Sequence, residues 1–185
     1  MQSLWMVVAS FLFAAMGVCV KLAADTFSAP EIVFYRSAIS LLLMFGLMRL
    51  RGIGFATPNL RHQIFRGASG FVSLLMYFYA IAMLPLATAV TLNYTSPIFL
   101  ALYFAAFAGM RLRGGMIVAL VIGFVGVIVL LRPTLQAEQL LGGLIALGSG
   151  IVSGFAYFNV RELGARGEPE ARTVFYFSLF ATLCS

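Results

Sequence analysis

The run Thr91-Leu92-Asn93-Tyr94-Thr95-Ser96-Pro97 is the most polar place inside any central apolar stretch of this chain. Proline has no amide hydrogen to donate, so Pro97 frees a carbonyl about one turn earlier, near Asn93, and kinks a helix that carries it. A freed carbonyl, the Asn93 amide and the Tyr94 hydroxyl together make a sensible edge for holding a small polar molecule. The same residues also suit a plain helix kink with hydrogen bonds between helices, each worth only ~0.6 kcal/mol on average in a membrane.

Hydroxyls recur elsewhere at helical spacing. Ser69, Ser73 and Tyr77 fall at i, i+4 and i+8, with Tyr79 nearby, and Ser149, Ser153 and Tyr157 repeat the pattern. Each trio shares one helix face. Such a face either lines a wet cavity or joins helices. Ala146, Gly150 and Gly154 form a small-residue stripe beside the second trio, suited to close helix approach, and Gly115, Ala119 and Gly123 read as packing alone. Arg36 is the odd charge, set inside an apolar stretch five residues past Glu31. Five residues turn a helix by about 140°, so the two do not pair well, whereas Tyr35 and Glu31 at i+4 can meet. An arginine costs ~2.5–3.5 kcal/mol at mid-membrane on insertion scales, less near the interface. Arg36 therefore either faces the bundle and attracts an anionic group, or snorkels to the interface. Lys21 and Asp25, at i and i+4, read as an interfacial ion pair. His62 lies between Arg61 and Arg66 and reads as a solvated loop residue.

Seven apolar stretches must position these residues: roughly Leu4–Ala24, Ile32–Leu50, Ile64–Leu84, Ala87–Gly109, Gly114–Leu131, Leu140–Val160 and Thr173–Ser185. Each complete one is near the ~20 residues that carry a helix across ~30 Å of hydrocarbon. Hydrophobic residues make up 62% of the chain and charged ones 10%, far from the surface chemistry of a water-soluble domain. Backbone groups in lipid must be satisfied within each segment, so the spans are helices, and the runs lack the alternation of a membrane barrel. Nine of the twelve basic residues sit in every second gap: Arg49, Arg51, Arg61 and Arg66, then Arg111 and Arg113, then Arg161, Arg166 and Arg172. Lys21, Arg36 and Arg132 lie in or toward the others. Positive residues stay cytoplasmic during insertion, which predicts a cytoplasmic amino terminus and a bacterial-type inner membrane location. The net charge of +6 is spread over span ends near anionic headgroups, and so does not indicate nucleic acid. Cys19 and Cys184 lie in apolar spans and suggest neither a disulfide framework nor a metal site. The first stretch lacks a basic n-region and is too long for a signal peptide's apolar core, so it reads as a retained helix. No cofactor motif, Walker loop, metalloprotease helix or serine elbow occurs. No acidic residue lies deep in a complete span, so this stretch supplies no evident proton relay.

An internal repeat adds to this. Val33-Phe34-Tyr35-Arg36-Ser37 matches Val174-Phe175-Tyr176-Phe177-Ser178 in four of five positions, at an offset that also pairs Ala15 with Ala156 and Leu22 with Leu163. Five spans separate the two units, which inverts the second relative to the first. Inverted repeats of this kind build a midplane site open to either side in many secondary transporters. The last stretch is too short to cross a bilayer, so the chain is expected to be a piece of a longer protein.

The stretches quoted so far, together with Tyr77-Phe78-Tyr79-Ala80-Ile81-Ala82-Met83-Leu84-Pro85-Leu86-Ala87-Thr88-Ala89-Val90 and Tyr94-Thr95-Ser96-Pro97-Ile98-Phe99 through Gly109-Met110-Arg111-Leu112, resemble the EamA-type carriers of the drug/metabolite transporter superfamily. The resemblance covers residues 4–132 as one five-helix unit and 140–185 as the start of a second. It implies an all-α polytopic membrane helix bundle, an inverted repeat of five transmembrane helices. The intact protein would have about ten, with six and a partial seventh here. The expected units are 1–133 and 140–185. Family members carry amino acids and other small metabolites, and Arg36 and Pro97 match the family pattern. Met110 stands where the family commonly has a glutamate between glycine and arginine, which puts any role of that acid in doubt here.

The expected function is a secondary transporter of a small organic metabolite, such as an amino acid or related compound, working by alternating access in a lipid bilayer. Tyr77, Asn93, Tyr94, Tyr157, Arg36 and Ser73 are the expected substrate-binding residues, with Pro97 as the helix kink. No catalytic or metal role is assigned, no nucleic-acid partner is expected and the oligomeric state stays open. A second reading is an integral membrane enzyme acting on lipid at the cytoplasmic interface, around His62, although His62 has no nearby acid in sequence. A third is an assembly partner whose helices only pack. Replacing His62 by Ala separates the first two. A carrier keeps its flux within about twofold and loses it with Asn93→Ala, whereas an enzyme loses activity with His62→Ala and tolerates Asn93→Ala.

Overall fold

The computed structural model describes residues 2–109, 114–131 and 137–185. These form eight helices and their connecting loops: α1 (Gln2–Ala23), α2 (Ala29–Leu50), α3 (Leu60–Met83), α4 (Leu86–Asn93), α5 (Ser96–Phe107), α6 (Gly114–Leu131), α7 (Ala137–Ala165) and α8 (Glu170–Cys184). The all-helical polytopic bundle expected from the sequence is what forms. By length and apolarity, Ala29–Leu50, Leu60–Met83, Leu86–Phe107 and Leu140–Ala165 can cross a membrane, and Val7–Ala23 and Gly114–Gly126 are shorter apolar helices. Met110, Arg111 and Arg132 lie outside the described residues.

The surface is inverted relative to a soluble protein. Leu42, Leu43 and Leu50 on α2 and Val121 and Ile122 on α6 are exposed. Lipid tails are as apolar as leucine, so such side chains gain nothing by turning inward, and close packing and polar contacts hold the helices together instead. The buried cluster is accordingly made mostly of medium and small residues, including Val33, Ile81, Ala80, Ala89, Leu92, Ala146 and Ala181.

Local chemistry sets the helix ends. The Glu31 carboxylate accepts from the Ser28 amide at 2.8 Å and from the Ser28 hydroxyl at 2.7 Å, which starts α2 and takes Glu31 away from the expected contact with Tyr35. The α2 and α7 helices end alike. Gly52 has φ +65° and Gly167 φ +76°, and the next amides, of Ile53 and Glu168, turn back to the carbonyls of Met48 and Leu163 at 3.0 and 3.1 Å. This left-handed cap suits glycine and aims the following loop sharply.

The α7 helix is the centre of the bundle, packed on α3, α4 and α5, while α8 lies on α2 and α3. Its small-residue face does what the stripe predicts. A Cβ at Gly150 would sit 2.7 Å from Thr95 Oγ1 and 3.1 Å from the Leu92 carbonyl oxygen, and one at Gly154 would sit 3.0 Å from the Leu100 nitrogen and the Ser96 carbonyl oxygen. The α7 backbone thus rests against the α4–α5 junction. On α3, Gly67 and Gly70 make room for Phe180 and Phe177 of α8. The α6 stripe behaves differently. Only Gly123 meets a neighbour, Ile98, while Gly115 faces open space and Ala119 is exposed. The packing role expected of that stripe is therefore confined to Gly123.

The two helices carrying the repeated Val-Phe-Tyr-x-Ser run, α2 and α8, lie against each other in opposite directions. The C-terminal end of α2 meets the N-terminal end of α8, where the Tyr176 hydroxyl donates to the Phe55 carbonyl at 3.0 Å. At the other end Val33 and Ala181 share the buried cluster. Lys21 corrects an expectation. Its ammonium donates to the Ile81, Ala82 and Leu84 carbonyls at 2.6, 3.2 and 3.1 Å. These are carbonyls at the end of α3, where the chain turns at Pro85, so Lys21 caps a helix rather than pairing with Asp25.

Gly154→Ala should destabilise the full-length protein by about 1–3 kcal/mol, since backbone atoms block the added methyl. Gly46→Ala, which meets nothing within 4 Å, should leave stability unchanged or slightly raised. Unfolding in detergent followed by circular dichroism checks both.

Candidate functional site

The α4–α5 pair shows how the polar run is used. The helix breaks between Asn93 and Ser96, with Pro97 in the first turn of α5. The Thr95 hydroxyl donates to the Leu92 carbonyl at 2.7 Å, which satisfies one acceptor that the interruption frees. The expected kink at Pro97 is therefore a full break one turn before it, and Pro97 itself is exposed.

From this break a hydrogen-bond chain runs into α7 and α3. Asn93 Nδ2 donates to Ser149 Oγ at 2.8 Å, and Ser149 Oγ donates to the Ala146 carbonyl at 2.6 Å. Ser73 Oγ donates to the Ser149 carbonyl at 3.0 Å and also contacts the Ser153 hydroxyl. Both hydroxyl stripes thus meet each other. Ser69 is the exception, because it bonds back to the Phe65 carbonyl of its own helix at 2.6 Å and joins no other element.

Against this network lies a cavity of about 560 Å³, within the size range of small-molecule sites. Asn93 and Tyr94 border it from the break, and Ser73 and Tyr77 from α3. Ser153 and Tyr157 come from α7, Arg36 from α2, Phe177 from α8, and Phe13, Ala14, Met16, Gly17 and Val18 from α1. All six residues expected to contact substrate line this one space. Pro97 does not.

Arg66 is the lining residue that sequence reasoning misses. By position it groups with the loop arginines, yet α3 begins at Leu60 and carries Arg66 inside the bundle. Its guanidinium stands 4.5 Å from the centre of the Phe177 ring. A Cβ on Gly70 would fall 2.0 Å from Arg66 Nη1, so the glycine one turn deeper leaves the space the guanidinium occupies. Nε and Nη1 are shielded from solvent and have no hydrogen-bond partner. A signal exists in the spacing, since Arg66, Ser73 and Tyr77 fall at i, i+7 and i+11 on one face. His62 is half-buried in the first turn of α3, a helix residue rather than a loop residue, and no carboxylate hydrogen-bonds it among the described residues.

The arginine-rich end is closed by a second cluster. Glu168, held just after the α7 cap, accepts from the Thr57 hydroxyl, from Asn59 Nδ2 at 3.1 Å and from Arg172 at 2.9 Å. Arg172 also donates to the Gly54 carbonyl at 2.9 Å, and Phe55 stacks on Phe45 and meets Phe175 at a tilt. The α2–α3 and α7–α8 loops are thereby clasped together. Burial pushes the Glu168 carboxyl up, but the hydrogen bonds from Thr57, Asn59 and Arg172 and the Arg172 charge outweigh it and hold it below the usual carboxylate range.

The EamA-like transporter family matches residues 1–132. This chain belongs to the EamA-like transporter family. It is 37% identical over 177 residues to the pseudopaline exporter CntI of Pseudomonas aeruginosa, found in two strains, covering 96% of this chain and 62% of the exporter. It is 30% identical over 158 residues to an uncharacterized transporter of Helicobacter pylori, covering 84% of this chain and 53% of that protein. The chain thus spans less than two thirds of the length of these relatives. No solved structure matches it. The EamA resemblance read from the sequence is borne out, and the transporters it resembles give the enzyme reading no support.

The clasp is acid-sensitive with a defined sign. A lowered carboxylate pKa stabilises the fold above the usual range near ~4.3, and that stabilisation fades as pH falls through the still lower folded value. Melting temperatures of the full-length protein measured from pH 7 down to pH 3 should show this loss. Glu168→Gln should start about 1 kcal/mol less stable at pH 7 and lack that part of the acid dependence.

Proposed function

We propose that the protein is a secondary carrier that moves a small organic metabolite, such as an amino acid or related compound, across the bacterial inner membrane by alternating access. The observation that carries this reading is the cavity at the α4–α5 break, bordered by polar side chains from four spans, in a chain of a transporter family. Tyr77, Asn93, Tyr94, Tyr157, Arg36 and Ser73 are its substrate contacts in this reading. The relative named as a pseudopaline exporter favours outward movement of a metabolite.

The units 1–133 and 140–185 are proposed as two inverted repeats. The antiparallel packing of α2 on α8, which share the Val-Phe-Tyr-x-Ser run, supports that arrangement. Alternating access then consists of one unit rocking against the other around the cavity, with the Glu168 clasp opening when the arginine-rich end opens. The arginines support a cytoplasmic amino terminus, since the α2–α3 and α7–α8 loops and the helix ends beside them, with Arg49, Arg51, Arg61, Arg161, Arg166 and Arg172, share one end of the bundle.

Two experiments test this. Efflux and uptake of a mixed metabolite panel are measured in proteoliposomes holding the full-length protein. Selective flux is expected, reduced at least tenfold by Asn93→Ala but less than threefold by Ser149→Ala, which removes the hydrogen-bond partner of Asn93 outside the cavity lining. Equal losses would make Asn93 a packing residue, and no flux from folded protein would sink the carrier reading. Topology is read with an impermeant maleimide on intact cells in a cysteine-free background. Thr26→Cys should label from outside, and Gly54→Cys only after permeabilisation. The reverse pattern would invert the orientation.

A further inference from the structure

The charge inside the cavity is one-sided. Arg36 and Arg66 both line it, and no aspartate or glutamate does. Neither guanidinium makes a hydrogen bond or ion pair to another described residue. The one ion pair among the described residues, Arg172 with Glu168, sits at the arginine-rich end. Arg66 is further set apart by its two shielded, unpartnered nitrogens. A buried cation without a counter-charge is costly, and bare arginines inside membrane proteins mark substrate or ion pathways. The Phe177 ring faces the Arg66 guanidinium and orders it, but a neutral ring does not cancel the charge. Gly70 keeps the space for this guanidinium open one turn deeper into α3 than its own Cα.

We propose that the cavity takes an organic anion bearing at least two carboxylates, one received by Arg36 and one by Arg66, in preference to neutral or zwitterionic metabolites. The planar fork of guanidinium matches the two oxygens of a carboxylate, and the unpartnered donors are the groups left to be satisfied. A zwitterion would bring an ammonium into a space that already holds two cations and offers no carboxylate among its lining residues. Tyr77, Tyr94 and Tyr157 supply neutral hydroxyls and ring faces for the remainder of the molecule. This inference rests on the carrier reading of the same cavity and narrows its substrate class to small organic polyanions, setting zwitterionic amino acids aside.

The test uses the full-length protein in nanodiscs of zwitterionic lipid and reads ligand-induced shifts in melting temperature. The probes are succinate, glutarate and citrate, with butyrate as a monoanion, 4-aminobutyrate as a zwitterion, succinamide as a neutral match and putrescine as a cation. The expected order is di- and tricarboxylates first, butyrate weaker, and the others without a shift. Arg36→Gln and Arg66→Gln should each weaken the best probe at least tenfold. Gly70→Ala should do the same, because its methyl takes the space of the Arg66 guanidinium, and it should also lower the melting temperature, because that methyl meets the Phe177 ring. In the absence of any probe, Arg66→Gln should melt higher than the wild type, since it removes an uncompensated charge. A lower melting point would show that Arg66 is already paired in the whole protein and would overturn the proposal. Equal shifts from succinamide or putrescine, or no shift from any polycarboxylate, would overturn it too. Nanodiscs containing phosphatidylglycerol separate the sources of the anion. If that lipid blocks the carboxylate shift, a headgroup and not a soluble metabolite is the occupant, and the proposal fails. Selective flux of neutral metabolites without competition by polycarboxylates would remove this inference and leave the carrier standing. No flux and no shift would remove both.

Discussion

The close approach of α7 to the broken α4–α5 span is the constraint on which the rest of the bundle depends. A helix interrupted inside hydrocarbon exposes backbone groups that lipid cannot satisfy. Gly150 and Gly154 let the α7 backbone come within van der Waals reach of the break. Thr95 closes one freed carbonyl, and Ser149, reached by Asn93, ties the junction to α7. The same contact brings Ser73 of α3 onto the Ser149 carbonyl. The cavity lies beside this seam, bordered by Asn93 and Tyr94 of the break and by Ser153 of α7.

Charge is distributed to match. At one end of the bundle, Arg172, Glu168, Thr57 and Asn59 form a satisfied cluster that joins two loops. At the other, Lys21 covers the last carbonyls of α3. Between them Arg36 and Arg66 remain without a carboxylate. Polar groups at the ends thus serve the fold, and those in the interior are left for something the fold does not provide. The contrast between Arg172 and Arg66 makes the point. The two are the same residue type, but one spends its donors on the loop and the other keeps them shielded and unspent.

Much of the site is legible in the sequence, for a local reason. The helical period fixes which residues share a face, so spacing alone groups Ser73 with Tyr77 and Ser153 with Tyr157. A proline within a polar run marks an interruption, which locates Asn93 and Tyr94. Arg66 escapes this reasoning because it counts among the charges around the α2–α3 gap although the apolar stretch from Ile64 contains it, and α3, which begins at Leu60, turns it into the bundle. Lys21 escapes it because its partners are carbonyls some sixty residues away, whereas spacing alone offers Asp25. The α6 glycines mislead in part because a small-residue stripe permits close packing without requiring a neighbour, and α6 meets α5 only lightly, at Ile98 and Phe99.

The sequence by itself determined the apolar, helical character of the chain, the faces that carry hydroxyls and small residues, the polar run in which a helix breaks and the family. These are set by residue type and by a period of a few residues. Only the tertiary structure decided which face meets which, and hence that six separated residues border a single cavity, that Arg66 joins Arg36 there and that Glu168 clasps two loops. In hydrocarbon most outward and inward side chains are equally apolar, so composition does not distinguish a lipid-facing stripe from a packed one. The pairing is settled by shape and by a few polar contacts between residues far apart in the chain, and neither is visible until the helices are packed.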